Sequence, residues 1–407
     1  MKKTVIIGGG PSGILTGIFA SNRNQQVILL ERNPIILKKL LLTGSGKCNF
    51  FNEVYNPSCY SSEDMDQVER LLSSYYLQNV RDFFDSIGLV SQVRNGHYYP
   101  YTFQASTMEK LLREEAIHKG VEIRTNSCVT KIVKKKKMFY VTCNDEVITC
   151  DNLVLACGSK AFPKTGSDGM GYQFLRKFSH KIVPPVPALV QLEGEEKYFK
   201  DWDGVRAEVR VSLYEDNEFK ASEEGEIQLT SYGLSGICIF NLSHLVSRGL
   251  RNKHQEEIRI NFVPFVDIPV LSFLDDYASR NSYKNTLELL EGFLNTKLAN
   301  VILERSFINP YEFYKNLNND KKSLLAKNLE SFAVPIIDTK GFTSSQICAG
   351  GVRLNEINID TMESKLVPHL YVVGELLDMN GKCGGYNLTL CWISGMLAGK
   401  SIGGQDD

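Results

Sequence analysis

A glycine-rich segment near the start of the chain has the spacing of a dinucleotide-binding loop. Gly8, Gly10 and Gly13 fit the pattern G-x-G-x-x-G, and Pro11 and Ser12 lie between the last two glycines. In this pattern the first glycine permits a tight turn, the second lets the backbone approach a pyrophosphate, and the third lets the helix pack on the strand. The free N–H groups at the start of that helix would bind the phosphates. The segment therefore predicts a bound nucleotide.

An acidic residue stands at the distance that such a loop requires. Glu31 ends an apolar run and lies 18 residues after Gly13, close to the roughly 20 residues expected. A carboxylate here would accept hydrogen bonds from the ribose hydroxyls and would disfavour a 2′-phosphate. The nucleotide is therefore expected to belong to FAD or NAD and not to NADP.

Two further glycine-rich segments favour FAD over NAD. The first is LTGSGKCN at residues 42–49, which follows the second apolar run. The second lies late in the chain and comprises Gly374, Glu375, Gly381, Gly384, Gly385, Tyr386 and Asn387. The flavin half of FAD needs contacts of this kind, and the start of the last helix would stabilise the negative charge of a reduced flavin.

The hydrophobic pattern predicts the strands and helices that position these loops. Residues 3–8 and 26–31 are expected to be buried strands, and residues 12–22 the helix between them. Further strands are expected at 121–133, 138–143, 146–150, 152–156 and 367–375, and helices at 64–86, 105–119 and 387–399. Residues 205–213 alternate as a half-buried antiparallel strand does, whereas residues 270–330 look helical.

We therefore predict an α/β fold with an insertion. A Rossmann-like FAD-binding domain is expected from both chain ends, residues 1–189 and 344–407. Residues 190–268 and 331–343 are expected to form an inserted β-rich domain, which carries a small helical insert at residues 269–330.

Composition and charge exclude several classes of protein. Lys and Arg number 46 against 47 Asp and Glu, so no overall positive charge would attract nucleic acid. No apolar run reaches the roughly 20 residues of a membrane helix, and the glycines at 8–10 interrupt what could pass for a signal peptide. The ten cysteines show no CxxC spacing and no HExxH motif occurs, so we expect reduced thiols in the cytoplasm and no metal site.

The chain resembles the bacterial FAD-dependent oxidoreductases grouped as the aminoacetone oxidase family, which includes bile-acid-inducible flavoproteins among its relatives. The resemblance covers nearly the whole chain and its last segment is the most specific. It rests on GGGPSG at 8–13, GSGKCN at 44–49, ACGSKAFPKTGSDGMGY at 156–172, PALVQL at 187–192, GLSG at 233–236, AGGV at 349–352, TMESK at 361–365 and VGELLDMNGKCGGYNLTLCWISGMLAG at 373–399.

The resemblance implies a flavin domain built from both chain ends, a barrel-like middle domain and a small helical insert. It assigns FAD contacts to Gly8, Gly10, Ser12, Gly13, Glu31, Arg32, Gly46, Lys47, Cys48, Asn49, Val129, Ala156, Gly158, Glu375, Gly385, Asn387 and Leu388. Pro11, Gly374 and Tyr386, from the glycine-rich segments, complete the candidate site. Two positions depart from the family: Lys47 stands where arginine is usual, and Ser231 where histidine often precedes the aromatic residue.

These observations predict an FAD-dependent oxidoreductase that acts on a small organic substrate, with O2 or NAD(P)H as its redox partner. The alternatives are an amine oxidase that acts on an aminoketone and makes hydrogen peroxide, a reductase of an enone or steroid double bond, and a flavin-binding RNA-modifying or redox-sensing protein. No acid–base residue is identified from the sequence. His97, in NGHYYP, could line a cleft, although a structural role is the simpler interpretation.

Overall fold

The computed structural model describes residues 1–22, 24–54, 56–72 and 74–404, with the backbone alone for residues 74–76. The chain divides into two compact units. Unit 1 comprises residues 1–186 and 347–407, and unit 2 comprises residues 187–346. That the segments 1–189 with 344–407, 190–268 with 331–343, and 269–330 are separate folding domains stays a prediction.

The strands of the described residues are β1 Lys2–Ile7, β2 Gln25–Leu30, β3 Phe51–Asn52, β4 Tyr60–Ser61, β5 Ser91–Arg94, β6 His97–Pro100, β7 Glu122–Arg124, β8 Val129–Lys135, β9 Met138–Cys143, β10 Glu146–Cys150, β11 Asn152–Leu155, β12 Val186–Ala188, β13 Leu192–Glu193, β14 Arg206–Glu215, β15 Glu218–Thr230, β16 Gly233–Gly236, β17 Glu256–Asn261, β18 Phe332–Ile336, β19 Asp338–Thr339, β20 Ile347–Ala349, β21 Leu370–Val372 and β22 Asn380–Gly381.

The α-helices of the described residues are α1 Pro11–Ala20, α2 Met65–Leu71, α3 Ser74–Ser86, α4 Ala105–His118, α5 Met170–Lys177, α6 Ile237–Arg251, α7 Val270–Arg280, α8 Thr286–Leu290, α9 Thr296–Arg305, α10 Asn319–Glu330, α11 Gly341–Ser344 and α12 Tyr386–Gly403.

A parallel sheet organises unit 1. Its five strands lie in the order β21-β11-β1-β2-β7, and each neighbouring pair is parallel. The strand β1, the helix α1 and the strand β2 form the predicted β–α–β unit, and the inner strands are buried along most of their length. The predicted α/β fold with a Rossmann-like sheet is therefore confirmed.

Two helices of unit 1 pack closely because one of them lacks side chains along its contact. Gly395, Gly399 and Gly403 recur every fourth residue of α12, so they lie on one face of that helix. A Cβ atom on Gly395 would lie 2.5 Å from the carbonyl oxygen of Ser12, and one on Gly399 would lie 2.5 Å from the Cβ atom of Phe19. The backbone of α12 therefore rests directly against α1.

An antiparallel sheet forms the framework of unit 2. Its seven strands lie in the order β18-β17-β14-β15-β16-β13-β19. Alternate residues of β14 are buried, as its pattern predicted: Val209, Val211 and Leu213 face the core. The edge strands β18 and β19 are separated in the chain by Ile337 alone. The sheet therefore curls until its edges meet, as a barrel does, and the helices α7 to α10 form the predicted helical insert between β17 and β18.

Three element predictions were wrong in their boundaries. The helix expected at 64–86 is two helices, α2 and α3, and Ser73 between them lies outside the described residues. The strand expected at 121–133 is interrupted by a turn in which Asn126 has a φ of +51°, which a continuous strand does not allow. The strand expected at 367–375 begins only at Leu370, because His369 has a φ of +65°.

Candidate cofactor and active site

A cleft opens at the carboxyl ends of β1, β2 and β11, where the glycine-rich loop meets the start of α1. Its space, including the part open to solvent, is about 930 Å³. Such a position is where open α/β sheets bind their ligands. Ten of the predicted site residues line it: Gly8, Gly10, Pro11, Ser12, Glu31, Arg32, Val129, Ala156, Gly158 and Glu375.

The three glycines of the loop lack a side chain for different structural reasons. A Cβ atom on Gly8 would overlap the carbonyl oxygen of Ala156, and one on Gly13 would overlap the carbonyl oxygen of Gly8. Among the described residues, no atom lies within 4 Å of the position that a Cβ atom on Gly10 would occupy. Gly10 also has an ordinary φ of −79°, so neither packing nor backbone strain explains the missing side chain. The space that it leaves fits a ligand that approaches the backbone closely.

Gly10 is the N-cap of α1, and the first N–H groups of this helix have no hydrogen-bond acceptor within the helix. It precedes α1, which begins at Pro11, and Ile14 is the first residue whose N–H bonds back to Gly10. The N–H groups of Ser12 and Gly13 therefore lie in the first turn, where a helix leaves its donors unpaired. Together with the positive end of the helix dipole, they are suited to a pyrophosphate.

Glu31 stands beside this loop with its carboxylate held in place. Its Oε2 atom accepts a hydrogen bond from the N–H of Gly9 at 2.8 Å, and Oε1 accepts from the backbone and side chain of Asn33 at 2.8 and 2.6 Å. The residue is 8% exposed and lines the cleft. Because a carboxylate accepts about four hydrogen bonds, acceptor capacity remains for the ribose hydroxyls of a nucleotide.

Arg32, next in the chain, is bound to the opposite wall of the cleft. Its guanidinium forms an ion pair with Asp168 and donates a hydrogen bond to the carbonyl of Gly166. Burial opposes ionisation of Asp168, but the hydrogen bonds that it accepts, first of all from Arg32, lower its pKa. Arg32 therefore links the end of β2 to the segment that precedes α5.

A third polar group of the cleft joins residues that are far apart in the chain. The Nζ atom of Lys39 lies 2.8 Å from Oε2 of Glu375, and the hydroxyl of Ser159 donates to the same oxygen at 2.7 Å. Lys39 and Glu375 are both about four-fifths buried. The carboxylate is thus oriented from two sides, and it can also accept hydrogen bonds from a polyol chain such as ribityl.

The remaining predicted residues gather mainly at the start of α12. Gly384 and Gly385 have φ angles of +126° and +93°, which few other residues adopt. A Cβ atom on Gly385 would lie 2.9 Å from the side-chain amide of Asn49, so the loop at 44–49 contacts the beginning of this helix. Tyr386 accepts a hydrogen bond at its carbonyl from the hydroxyl of Tyr60 at 3.1 Å. Leu388 is half-buried against the core.

Several of the predicted contact residues already serve the packing of the fold. Asn387 holds the loop before α12, because its amide both accepts from the N–H of Gly381 and donates to the carbonyl of Gly381 at 2.8 Å. Gly374 lies against Ser12, and a Cβ atom there would sit 2.5 Å from the Ser12 hydroxyl. Cys48 is fully buried, and burial raises the pKa of its thiol to about 12.

The two residues before Cys48 are accessible to a ligand, Lys47 through its side chain and Gly46 through its backbone. Lys47 is exposed, and Gly46 has a φ of +84° with open space where a Cβ atom would stand. Because the side chain of Cys48 is buried, only its backbone can contact a ligand.

Sequence reasoning missed four residues that hold this site together: Asn33, Lys39, Ser159 and Asp168. Each acts on a predicted residue, Glu31, Glu375 or Arg32. Ser159 and Asp168 lie within the segment 156–172 that carries the family resemblance, so that segment held a usable signal. Lys39 had none, because nothing local marks a lysine that pairs with a carboxylate 336 positions away.

Comparison with known proteins identifies the family. The sequence model of the family described as HI0933-like protein Rossmann domain matches residues 2–401 of this chain. The chain belongs to this family. It is 36% identical over 404 residues to the 3-dehydro-bile acid delta(4,6)-reductase of Clostridium scindens, covering 98% of this chain and 99% of that protein. It is 26% identical to the ribosomal RNA dihydrouridine synthase of Escherichia coli, covering 98% and 97% of the two chains.

Among solved structures, the HI0933-like chain is similar to the 3-ketosteroid-delta4-(5alpha)-dehydrogenase of Rhodococcus jostii RHA1 in complex with 4-androstene-3,17-dione. The TM-score is 0.52 at 13% identity, over 99% of this chain and 97% of that one. At this identity the likeness shows the fold alone. The family, the fold and the cleft agree, and the predicted FAD-dependent oxidoreductase is confirmed.

In the part of the chain that the structure describes, no group of three or more His, Cys, Asp or Glu residues could hold a metal ion. Within the same residues, no helix combines the length and the apolar character needed to cross a membrane.

Proposed function

We propose that this protein reduces a conjugated carbon–carbon double bond in a small, steroid-like enone. The observation that carries the proposal is its 36% identity, over almost the full length of both chains, to a reductase named for the delta(4,6) double bonds of a 3-dehydro-bile acid. The dihydrouridine synthase is likewise named for the saturation of a double bond conjugated to a carbonyl. Both relatives support reduction of an activated double bond rather than oxidation of an amine.

The candidate residues divide the binding of FAD between two regions. Gly8, Gly10, Pro11, Ser12, Gly13 and Glu31, with Arg32, Val129, Ala156 and Gly158 around them, would hold the adenosine and the pyrophosphate. Glu375, oriented by Lys39 and Ser159, would accept hydrogen bonds from the ribityl chain. Gly46, Lys47, Cys48, Asn49, Gly374, Gly385, Tyr386, Asn387 and Leu388 would shape the flavin region.

The residues of the chain bind and orient, and FAD supplies the hydride chemistry. The N–H groups at the start of α1 would bind the pyrophosphate, and Glu31 would bind the ribose. The N–H groups at the start of α12, where no side chain caps the helix, would favour negative charge nearby. Such a helix start would stabilise negative charge on a bound flavin.

A steroid-sized substrate agrees better with the charge of the chain than an RNA does. A protein that binds ribosomal RNA gains most of its affinity from phosphate contacts by Lys and Arg. This chain has 46 such residues against 47 acidic ones, so it has no overall positive charge. The second candidate is nevertheless an RNA dihydrouridine synthase, which the 26% identity over 98% of the chain favours.

The proposed reduction requires a two-electron donor, and we assign this part to NAD(P)H rather than to O2. A reductase that passes its electrons to an enone must receive them from a donor of lower potential, which O2 is not. All ten cysteines are free, as is usual in a reducing compartment. Both features support a cytoplasmic enzyme.

Turnover with matched substrates tests this function. The purified protein, supplied with FAD and NADPH or NADH without oxygen, should convert a 3-oxo steroid acid with double bonds at positions 4 and 6 to a product that has gained hydrogen, as mass spectrometry detects. Ribosomal RNA transcripts serve as a comparison substrate under the same conditions, and an aminoketone is tested separately in air without NAD(P)H, because an oxidase needs O2 as its electron acceptor. Formation of dihydrouridine alone would favour the second candidate, and oxidation of the aminoketone alone would contradict both.

A further inference from the structure

The ring of His97 lies between the two segments assigned to the flavin region. His97 begins β6 and pairs with Asn52 on β3. Its Nδ1 atom lies 3.0 Å from the side-chain amide of Asn49, in the loop at 44–49. Its Cε1 atom lies 3.5 Å from the position that a Cβ atom on Gly384 would occupy, just before α12. The imidazole therefore contacts both loops at once.

Asn49 determines which nitrogen of His97 carries the proton. With its amide nitrogen donating to the carbonyls of Phe51 at 3.0 Å and Tyr98 at 3.2 Å, Asn49 turns its amide oxygen toward Nδ1 of His97 at 3.0 Å. An amide oxygen only accepts hydrogen bonds, so Nδ1 must be the donor. In the neutral ring the lone pair is then on Nε2, which can take up and release a proton.

The charged groups on the neighbouring elements do not hold this proton on the ring. Arg94 is the cross-strand partner of His97 on β5, and its guanidinium lies over the ring of Phe103 at 4.1 Å from the centroid. Lys47 and Lys382 stand in the two adjoining loops. Burial lowers the pKa of His97 below its ordinary value of 6.5. The ring is therefore mainly neutral at pH 7, and its protonated form is a stronger acid than free histidine.

The other five histidines are engaged or located elsewhere. His180 is buried between Glu356 and Ser364, at 2.8 Å from each. His254 bonds to Asp216 at 2.5 Å. His244 bonds to the carbonyl of Asn241 within α6. His118 and His369 are exposed. His97 is thus the imidazole that the fold places at the flavin region.

We propose that His97 is the proton-transfer residue of this enzyme, with Nδ1–H fixed by Asn49 and the transferable proton on Nε2. This inference rests on the proposed function. When an enone is reduced, reduced FAD gives a hydride to one alkene carbon and is oxidised. The Nε2–H bond of the protonated ring breaks, a C–H bond forms at the other alkene carbon, and the ring becomes neutral. Solvent returns the proton to Nε2, and NAD(P)H returns the electrons to FAD.

The tautomer of His97 can be measured without any substrate. Nitrogen-15 NMR of the FAD-bound protein distinguishes a protonated Nδ1 from a protonated Nε2, and the His97→Gln variant identifies the signal by its loss. We expect the neutral ring to carry its proton on Nδ1, which free histidine disfavours. A neutral ring protonated on Nε2 would overturn the proposal. Because no enone is needed, this result stands whether or not the proposed function is correct.

Kinetics of a variant then separate proton transfer from electron transfer. His97→Gln should keep FAD but slow reoxidation of the reduced protein by a steroid enone by about 100-fold or more. Reoxidation by ferricyanide, which needs no proton on carbon, should stay unchanged. The matched control His369→Gln replaces an exposed histidine and should leave both rates unchanged. Equal slowing with both acceptors, or an unchanged rate with the enone, would contradict the role of His97.

Discussion

At the scale of single residues, the structure separates glycines that the fold needs from a glycine for which the packing of the fold gives no reason. Gly8 and Gly13 leave room for backbone atoms of the protein itself, whereas a Cβ atom on Gly10 would enter open space. The pattern G-x-G-x-x-G predicted all three from local sequence because a phosphate loop is a local structure. It could not tell which glycine serves which purpose, since that depends on Ala156, far along the chain.

Replacement of Gly10 by asparagine should therefore remove FAD and spare the fold. Asparagine is a favourable residue before a helix, so α1 should keep its stability. Its side chain would occupy the space of the pyrophosphate, and we expect FAD affinity to fall more than about tenfold, or ~1.4 kcal/mol. Equilibrium titration with FAD and thermal unfolding of the apoprotein measure both. The matched control Gly8→Ala should lower the melting temperature of the apoprotein itself. Full retention of FAD by Gly10→Asn would show that the phosphates lie elsewhere.

Glu31 is expected to contribute through its charge. Glu31→Gln keeps an oxygen that can accept from Gly9 or Asn33 but loses the carboxylate that would bind the ribose. Hydrogen bonds to charged groups are worth about 1.5–3 kcal/mol, so FAD affinity should fall by about tenfold or more. Titration with FAD tests this, and Asp66→Asn, an acidic residue of α2, serves as a control. If Glu31→Gln binds FAD as tightly as the parent protein, Glu31 does not contact the ribose.

At the scale of elements, the two helices whose first turns we propose to contact FAD pack against each other. α1 begins beside the cleft at Gly10, and α12 begins beside the loop at 44–49. Their contact depends on Gly395, Gly399 and Gly403, whose four-residue spacing is visible in the sequence. That spacing alone does not name the partner helix, because a glycine stripe can face any neighbour. The β–α–β unit was predictable, since its strands are adjacent in the sequence.

A larger residue in this stripe should destabilise the protein. Gly399→Leu would force side-chain atoms against Phe19 and the carbonyl of Thr16, which lies 2.8 Å from the Cβ position. Overpacking of this kind costs about 1–3 kcal/mol, so the midpoint of urea unfolding should fall. The control is Glu114→Leu, which introduces the same side chain at an exposed position of α4. An unchanged midpoint for Gly399→Leu would contradict direct contact of the two backbones.

At the scale of the whole molecule, stability should depend on a buried carboxyl group of unit 2. Glu256 on β17 is 4% exposed, and within the described residues neither of its carboxyl oxygens has a hydrogen-bond partner. Its carboxyl group and that of Glu215 both lie against Gly249 of α6. Burial, and then the charge of Glu215, raise the pKa of Glu256 to about 7. Nothing in the local sequence indicates this, since burial arises from the assembled sheet.

The sign of the pH dependence follows from this raised pKa. The folded protein holds a proton on Glu256 that the unfolded chain releases near pH 4.5, the ordinary value. The contribution of this group to stability is therefore fully present below about pH 4.5 and is lost as the pH rises to about 7. Thermal unfolding between pH 5 and 8 should show this decline, and Glu256→Gln should reduce it. An identical pH dependence in the variant would mean that Glu256 is ionised throughout.

The central claim is that FAD on this protein passes its electrons to a conjugated double bond. The most direct test is to reduce the bound FAD by light without oxygen and mix the protein with a steroid enone while following the visible absorbance of the flavin. We predict rapid return of the oxidised spectrum with the enone, and no such return with the saturated steroid. A flavin that stays reduced with the enone and is reoxidised rapidly only by O2 would contradict the claim and point to an oxidase.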